Sequence, residues 1–152
     1  MDGGANPTAV KKWVIGGIVT MFALAGLMGY LALEAEKDIK ARFENNLKRL
    51  MLWYQNYTDT MGSLPKTQDD FGKWLMAVQP PLQDEALLVS SGRVVLMWGA
   101  KPLTSGSGSE VIFAYTTDPP VRGRRPVGML DMSVRWMTPE EFDAAPKAEP
   151  ER

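Results

Sequence analysis

From Trp13 to Leu33 the chain reads WVIGGIVTMFALAGLMGYLAL, with no acidic or basic side chain in the run. A helix of that length covers the roughly 30 Å hydrocarbon core of a bilayer. A soluble domain this small has no interior able to cover such a stretch on every face, so the pattern predicts a transmembrane helix over 13–33. Trp13 and Tyr30 stand where interfacial aromatics belong. The basic pair Lys11-Lys12 would also suit a cleaved secretory signal. Against that, the apolar run exceeds a usual signal core, and Leu33-Glu34-Ala35-Glu36 offers no small-x-small cleavage site. Within the span, Gly16 with Thr20 and Ala25 with Gly29 are small-xxx-small pairs that would admit a second helix closely.

Beyond the span no proline or glycine interrupts residues 34–61, and Phe43, Leu47, Leu50, Tyr54, Tyr57 and Met61 recur at alternating spacings of four and three. This predicts a helix unbroken from about Val10 to about Met61, apolar first and amphipathic afterwards. Gly62 suits a left-handed C′ position and Pro65 prevents the helix from resuming. Thr67 and Asp70 resemble a capping box that opens a short helix through Val78, with Phe71, Trp74, Leu75 and Val78 on one face, and Pro80-Pro81 stops it. The texture then turns to β. Segments 93–98, 111–116, 127–132 and 133–138 are apolar, β-branched or alternating runs, separated by Gly99, Pro102, the glycine-serine stretch 105–109 and Pro119-Pro120. Pro139-Glu140-Glu141-Phe142 reads as a last helical turn capped by Thr138. The expected fold class is α+β: a long N-terminal helix, transmembrane then amphipathic, packed on a small antiparallel sheet of about four strands. The expected division is a cytoplasmic stub over 1–12, the span over 13–33, the α+β domain over 34–145 and a disordered tail over 146–152.

Composition narrows the chemistry. The 152 residues include no cysteine and no histidine, which removes disulfides, thiolate nucleophiles, imidazole ligands and the commonest general base. A formal net charge of -1 gives no field that would gather nucleic acid. Lys11 and Lys12 favour a cytoplasmic N-terminus. The cations Lys37, Lys40 and Arg42 past the far end are interleaved with Glu34, Glu36, Asp38 and Glu44, and long domains translocate largely regardless of charge. The domain is therefore expected on the periplasmic or extracytoplasmic side.

Two separated segments carry a family likeness. Asn45-Asn46-Leu47-Lys48-Arg49-Leu50 through Tyr57-Thr58-Asp59-Thr60-Met61-Gly62-Ser63-Leu64-Pro65, and Val127 through Asp131-Met132-Ser133-Val134-Arg135-Trp136-Met137-Thr138-Pro139-Glu140-Glu141-Phe142, resemble the helix end and closing hairpin of bacterial type IV pilin-like proteins and secretion pseudopilins. The resemblance implies a pilin-like fold, with Trp136 and Phe142 turned in against the long helix. Three departures go with it. Met132 stands where the family usually has glycine in a tight turn, which implies a remodelled turn, and the Cys-Pro element common in relatives is missing. Nor does the span hold the glutamate that, in the family, guides subunit docking into a filament. The expectation is a pilin-like module that keeps its first residues, stays anchored and does not polymerise by the ordinary route.

Candidate chemistry is sparse. Glu110, Asp118 and Asp131 fall in or beside the β segments, where the resemblance to major pseudopilins implies a calcium site, but no compact D-x-D loop is present and solvated carboxylates are the plainer reading. Arg122, Arg124 and Arg125 form a small basic loop, either a solvated turn or a contact for phosphate or lipid headgroups. Ser105 to Ser109 lack a base and read as linker, and Trp53, Trp74, Trp98 and Trp136 read as core or interface aromatics. No catalytic, cofactor or metal residue is assigned. The expected partners are membrane lipid and other membrane or envelope proteins, met through the span and the domain, with no nucleic acid and no small-molecule substrate. The alternative is an accessory single-span subunit of a larger membrane complex.

Overall fold

A computed structural model describes the backbone of residues 7–78, 82–103 and 108–151, together with their side chains except those of 7–20, 22, 23 and 78. The elements in chain order are α1 (Pro7–Met61), α2 (Gln68–Val78), α3 (Gln83–Ser90), β1 (Val94–Leu96), β2 (Ile112–Thr116), β3 (Arg125–Met129), β4 (Val134–Met137) and α4 (Pro139–Ala144). The chain divides into two units, Met1–Ile39 and Lys40–Arg152. The class is α+β, with a long N-terminal helix and a four-stranded antiparallel sheet of order β1-β2-β3-β4.

In the first unit, every described side chain from Leu24 to Leu33 is exposed, and the large apolar ones among them lie between 50% and 74% open. Among the described residues, no helix is long and apolar enough to cross a membrane. Most of the front of the expected span, including Gly16 and Thr20, lies outside the described side chains. Lys37 and Glu34 pair at 2.9 Å on the exposed helix surface, an arrangement that contributes only a few tenths of a kcal/mol.

The second unit is organised by one face of α1. Leu47, Leu50, Met51 and Tyr54 are wholly buried and Tyr57 nearly so, the repeat that the spacing predicts with Met51 added. Met61, at the helix end, is exposed. Gly62 ends α1 at φ 66°, and its amide bonds back to the Thr58 carbonyl at 2.9 Å. Thr67 Oγ1 accepts the Asp70 amide at 3.1 Å and caps α2. The helix α3 was not legible as such, although Asp84 and Glu85 supply the acidic first turn that favours a helix start.

The sheet presents two faces. Towards α1 it places Val94, Leu96, Phe113 and Ala114, and at Gly128 the helix comes so near that a Cβ there would lie 2.5 Å from Met51 Sδ. Away from α1, Ile112, Val127, Met129 and Met137 form a second small core with Tyr115, Phe142 and Ala145 packed on it. Phe142 therefore does not face the long helix as expected. The capping box of α4, in which Glu141 Oε2 accepts the Thr138 amide at 2.8 Å and Thr138 Oγ1 accepts the Glu141 amide at 3.3 Å, sets α4 on the opposite face.

Two further expectations are corrected. The tight turn between β3 and β4 keeps its left-handed residue: Met132 has φ 68°, and its half-buried side chain packs against the main core, which offsets the strain. Residues 146–151 are not a free tail. Because β1 is only three residues long, the edge of β2 at Ile112 is left open. The Ile112 amide donates to the Pro146 carbonyl and the Ala148 amide to the Ile112 carbonyl, both at 2.8 Å, while the Glu151 amide reaches the Gly99 carbonyl at 2.8 Å. Backbone pairing needs no apolar side chains, so the polar composition of 146–152 hid it.

The turn between β2 and β3 holds a second left-handed non-glycine residue, Arg122 at φ 50°, followed by Gly123 at φ 73°. Asparagine tolerates this conformation better and Asn-Gly is the favoured pair for such a turn. Arg122→Asn is expected to raise stability by about 1 kcal/mol in chemical denaturation. A lowered midpoint would contradict this account of the turn.

Candidate functional site

Most of the aromatic residues are structural. Tyr54 meets Phe113 edge-on at 4.9 Å, and Phe71, Trp74 and Tyr57 close around it, with Trp98 and Trp53 at the margin. Burial pushes the Tyr54 phenol up to about 12, against the opposing pull of the Gly99 and Ala100 amides. These rings fill the space between α1, α2 and the sheet, although Trp98 also lines a surface pocket of about 400 Å³ with Leu64, Lys66, Gly99, Pro150 and Glu151.

Trp136 is different. It stands on β4, half-buried, and its indole meets Phe43 of α1 edge-on at 6.5 Å. Its Nε1 donates to Glu44 Oε1 at 2.7 Å, and Lys40 Nζ lies 5.7 Å from the ring centroid. Helical spacing puts Lys40, Phe43 and Glu44 on one face, so all three can address one indole. The turn before β3 completes the enclosure. A pocket of about 400 Å³ is lined by Lys40, Val121, Arg122, Arg124 and Trp136. Arg124 Nη1 reaches the Trp136 carbonyl at 3.5 Å. Lys40, Arg122 and Arg124 thus share one concavity with an indole, beside the carboxylate of Glu44.

The basic loop read from the sequence is divided by the strand period. Arg122 and Arg124 face the pocket, whereas the Arg125 guanidinium lies over the Phe142 ring at 4.9 Å. The acidic residues do not converge. Asp118 takes Arg93 through two hydrogen bonds of 3.1 and 2.9 Å. Asp131 accepts the Ser133 hydroxyl at 2.6 Å and the Ser133 amide at 3.0 Å within the hairpin turn. The Ser133 hydroxyl holds the Asp131 carboxyl below the usual carboxylate range, so its contribution to stability is present above that range and is lost as the pH falls through the lowered value. Glu110 sits exposed in a 3-10 turn, Gly108–Glu110. Among the described residues, no three acidic groups could together hold a metal ion.

No protein-family model, curated protein or solved structure matches this chain.

A larger groove, about 840 Å³, opens between α2 and α3, with Met76 and Leu87 exposed on it. Its charged residues, Asp69 and Lys73, pair with each other at 2.6 Å, so it brings no reactive group to bear. Sequence reading missed one charged contact entirely. Glu85 of α3 is buried and ion-paired with Arg49 of α1, whose side chain is more than half exposed. The signal available was an acid beside Ala86 and Val89 on the apolar side of an unrecognised helix. Arg49→Met should leave that carboxylate buried without a cation and cost about 1 to 3 kcal/mol, below the range for fully enclosed pairs because Arg49 is exposed. Adding Glu85→Leu should recover most of the loss in thermal denaturation. A double variant as unstable as Arg49→Met alone would show that the pair is not what holds α3 to α1.

Proposed function

We propose that this chain is a single-pass membrane protein in which the helix over 13–33 anchors a pilin-like α+β domain that acts as a structural or interaction module, not as a catalyst. The observation that carries the reading is the uncovered apolar surface from Leu24 to Leu33, which continues a stretch without a charged residue back to Trp13. Water does not tolerate ten successive exposed positions of that composition, and a bilayer does. The pilin-like part of the proposal draws on the sequence resemblance at 45–65 and 127–142. The arrangement of the second unit agrees with it, since the helix face of Leu47, Leu50 and Tyr54 lies on an antiparallel meander closed by a tight hairpin. Lys11 and Lys12 favour a cytoplasmic N-terminus, and hence a periplasmic or extracytoplasmic domain. The absence of histidine and cysteine from the sequence supports an interaction role over a catalytic one.

Alkaline carbonate extraction of membranes from expressing cells tests the anchor. The wild-type chain should stay in the pellet. Leu24→Arg with Leu27→Arg should move it to the soluble fraction, because each central arginine costs about 2.5 to 3.5 kcal/mol of insertion free energy. Wild-type protein in the carbonate supernatant would contradict the anchor.

A further inference from the structure

The turn joining β2 to β3 is closed by reciprocal hydrogen bonds, Val121 amide to Arg124 carbonyl at 2.8 Å and Arg124 amide to Val121 carbonyl at 3.1 Å. With Arg122 and Gly123 both at positive φ, this is the two-residue hairpin geometry that asparagine or glycine fills most easily. Arginine occupies the position instead, exposed and facing the pocket of Lys40, Arg124 and Trp136. Strain of this kind gathers where side-chain placement has a use beyond folding.

We propose that this pocket takes the phosphate of an anionic lipid headgroup and so docks the domain on the bilayer that holds its own helix, an inference that rests on the anchored reading above. Paired guanidinium groups match the oxygens of a phosphate in a way that a lone ammonium does not. Trp136 supplies an indole of the sort that settles at the membrane–water boundary. Its ring nitrogen is already satisfied by Glu44, so the ring can enter the headgroup layer without stranding a donor. The chain itself keeps the site close to lipid. Lys40 follows Leu33 by seven residues within α1, about 10 Å along a helix. Attachment that close raises the effective concentration of headgroups at the pocket, so weak individual contacts suffice.

The chain has no cysteine, so Pro120→Cys provides a single labelling position on the exposed approach to the turn. The full-length labelled protein is reconstituted in vesicles of phosphatidylcholine alone or mixed with phosphatidylglycerol, each carrying a headgroup-attached quencher. Quenching should be greater in the phosphatidylglycerol vesicles and should fall with added salt. Arg122→Asn, which keeps the turn, and Arg124→Gln should each lower the docked-to-undocked ratio about fivefold, the value of one cation near an anionic surface. Folding of Arg122→Asn should be unimpaired. Arg125→Gln, whose guanidinium is held over Phe142, should change docking little. Equal quenching in both vesicles, or an equal loss with Arg125→Gln, would overturn the site. So would binding of inorganic phosphate in detergent without any phosphatidylglycerol-dependent docking. Protein recovered apart from the vesicles would refute the anchor and not the pocket. The released chain then reads the pocket directly, which stands if binding to phosphatidylglycerol vesicles drops about fivefold with Arg122→Asn and falls if it does not.

Discussion

The closeness of α1 to the sheet at Gly128 is the constraint on which the second unit depends. A side chain at that position would run into Met51 and approach the Ala114 Cβ to 3.3 Å. Its absence lets Leu47, Leu50, Met51 and Tyr54 press directly on β2 and β3, and van der Waals contact falls off so steeply that a small separation would forfeit much of it. The aromatic group around Tyr54 follows from the same approach, because Phe113 can meet that ring only if the helix lies low on the sheet. With one sheet face taken by α1, the other is left for Phe142 and Ala145, and the chain after them pairs along the edge of β2.

The strongest periodic signals in the sequence proved the most informative. The helix face from Leu47 to Tyr57, the glycine stop at Gly62, the Thr67 cap and the four strands all rest on local chemistry that the chain shows without its partners. What stayed hidden depends on the fold. Met132 accepts a left-handed backbone because its side chain reaches the core, a compensation that no local rule contains. The edge pairing of residues 146–151 uses backbone groups left open by a short neighbour strand. For the candidate site, the basic run over Arg122–Arg125 was visible, but its division was not. Strand alternation sends Arg125 to Phe142, while Lys40, far away in sequence, joins Arg122 and Arg124.

Several charged and aromatic groups of this domain are engaged within the fold. Four of its carboxylates have partners within the fold: Asp118 holds Arg93, Asp131 shapes a turn, Glu85 meets Arg49 and Glu44 holds Trp136. The rings of Tyr54, Tyr57, Phe71, Trp74 and Phe113 are spent on the interior, whereas Trp136 stands at the pocket. Surface properties therefore distinguish the molecule, namely an uncovered apolar helix stretch in one unit and a cationic, indole-walled pocket in the other. Both are features that lipid can satisfy.

A double-mutant cycle between positions 51 and 128 tests the central claim about the fold most directly, read by chemical denaturation of the full-length chain. Gly128→Ala alone should destabilise by about 1 to 3 kcal/mol through overpacking, and Met51→Ala alone by about 2 to 5 kcal/mol through the space it opens. Together they should cost at least about 1 kcal/mol less than the two losses added, because the new methyl group occupies the space that Met51 vacates. Additivity within about 0.5 kcal/mol would contradict the account, since the helix would then not be held against the sheet at this point.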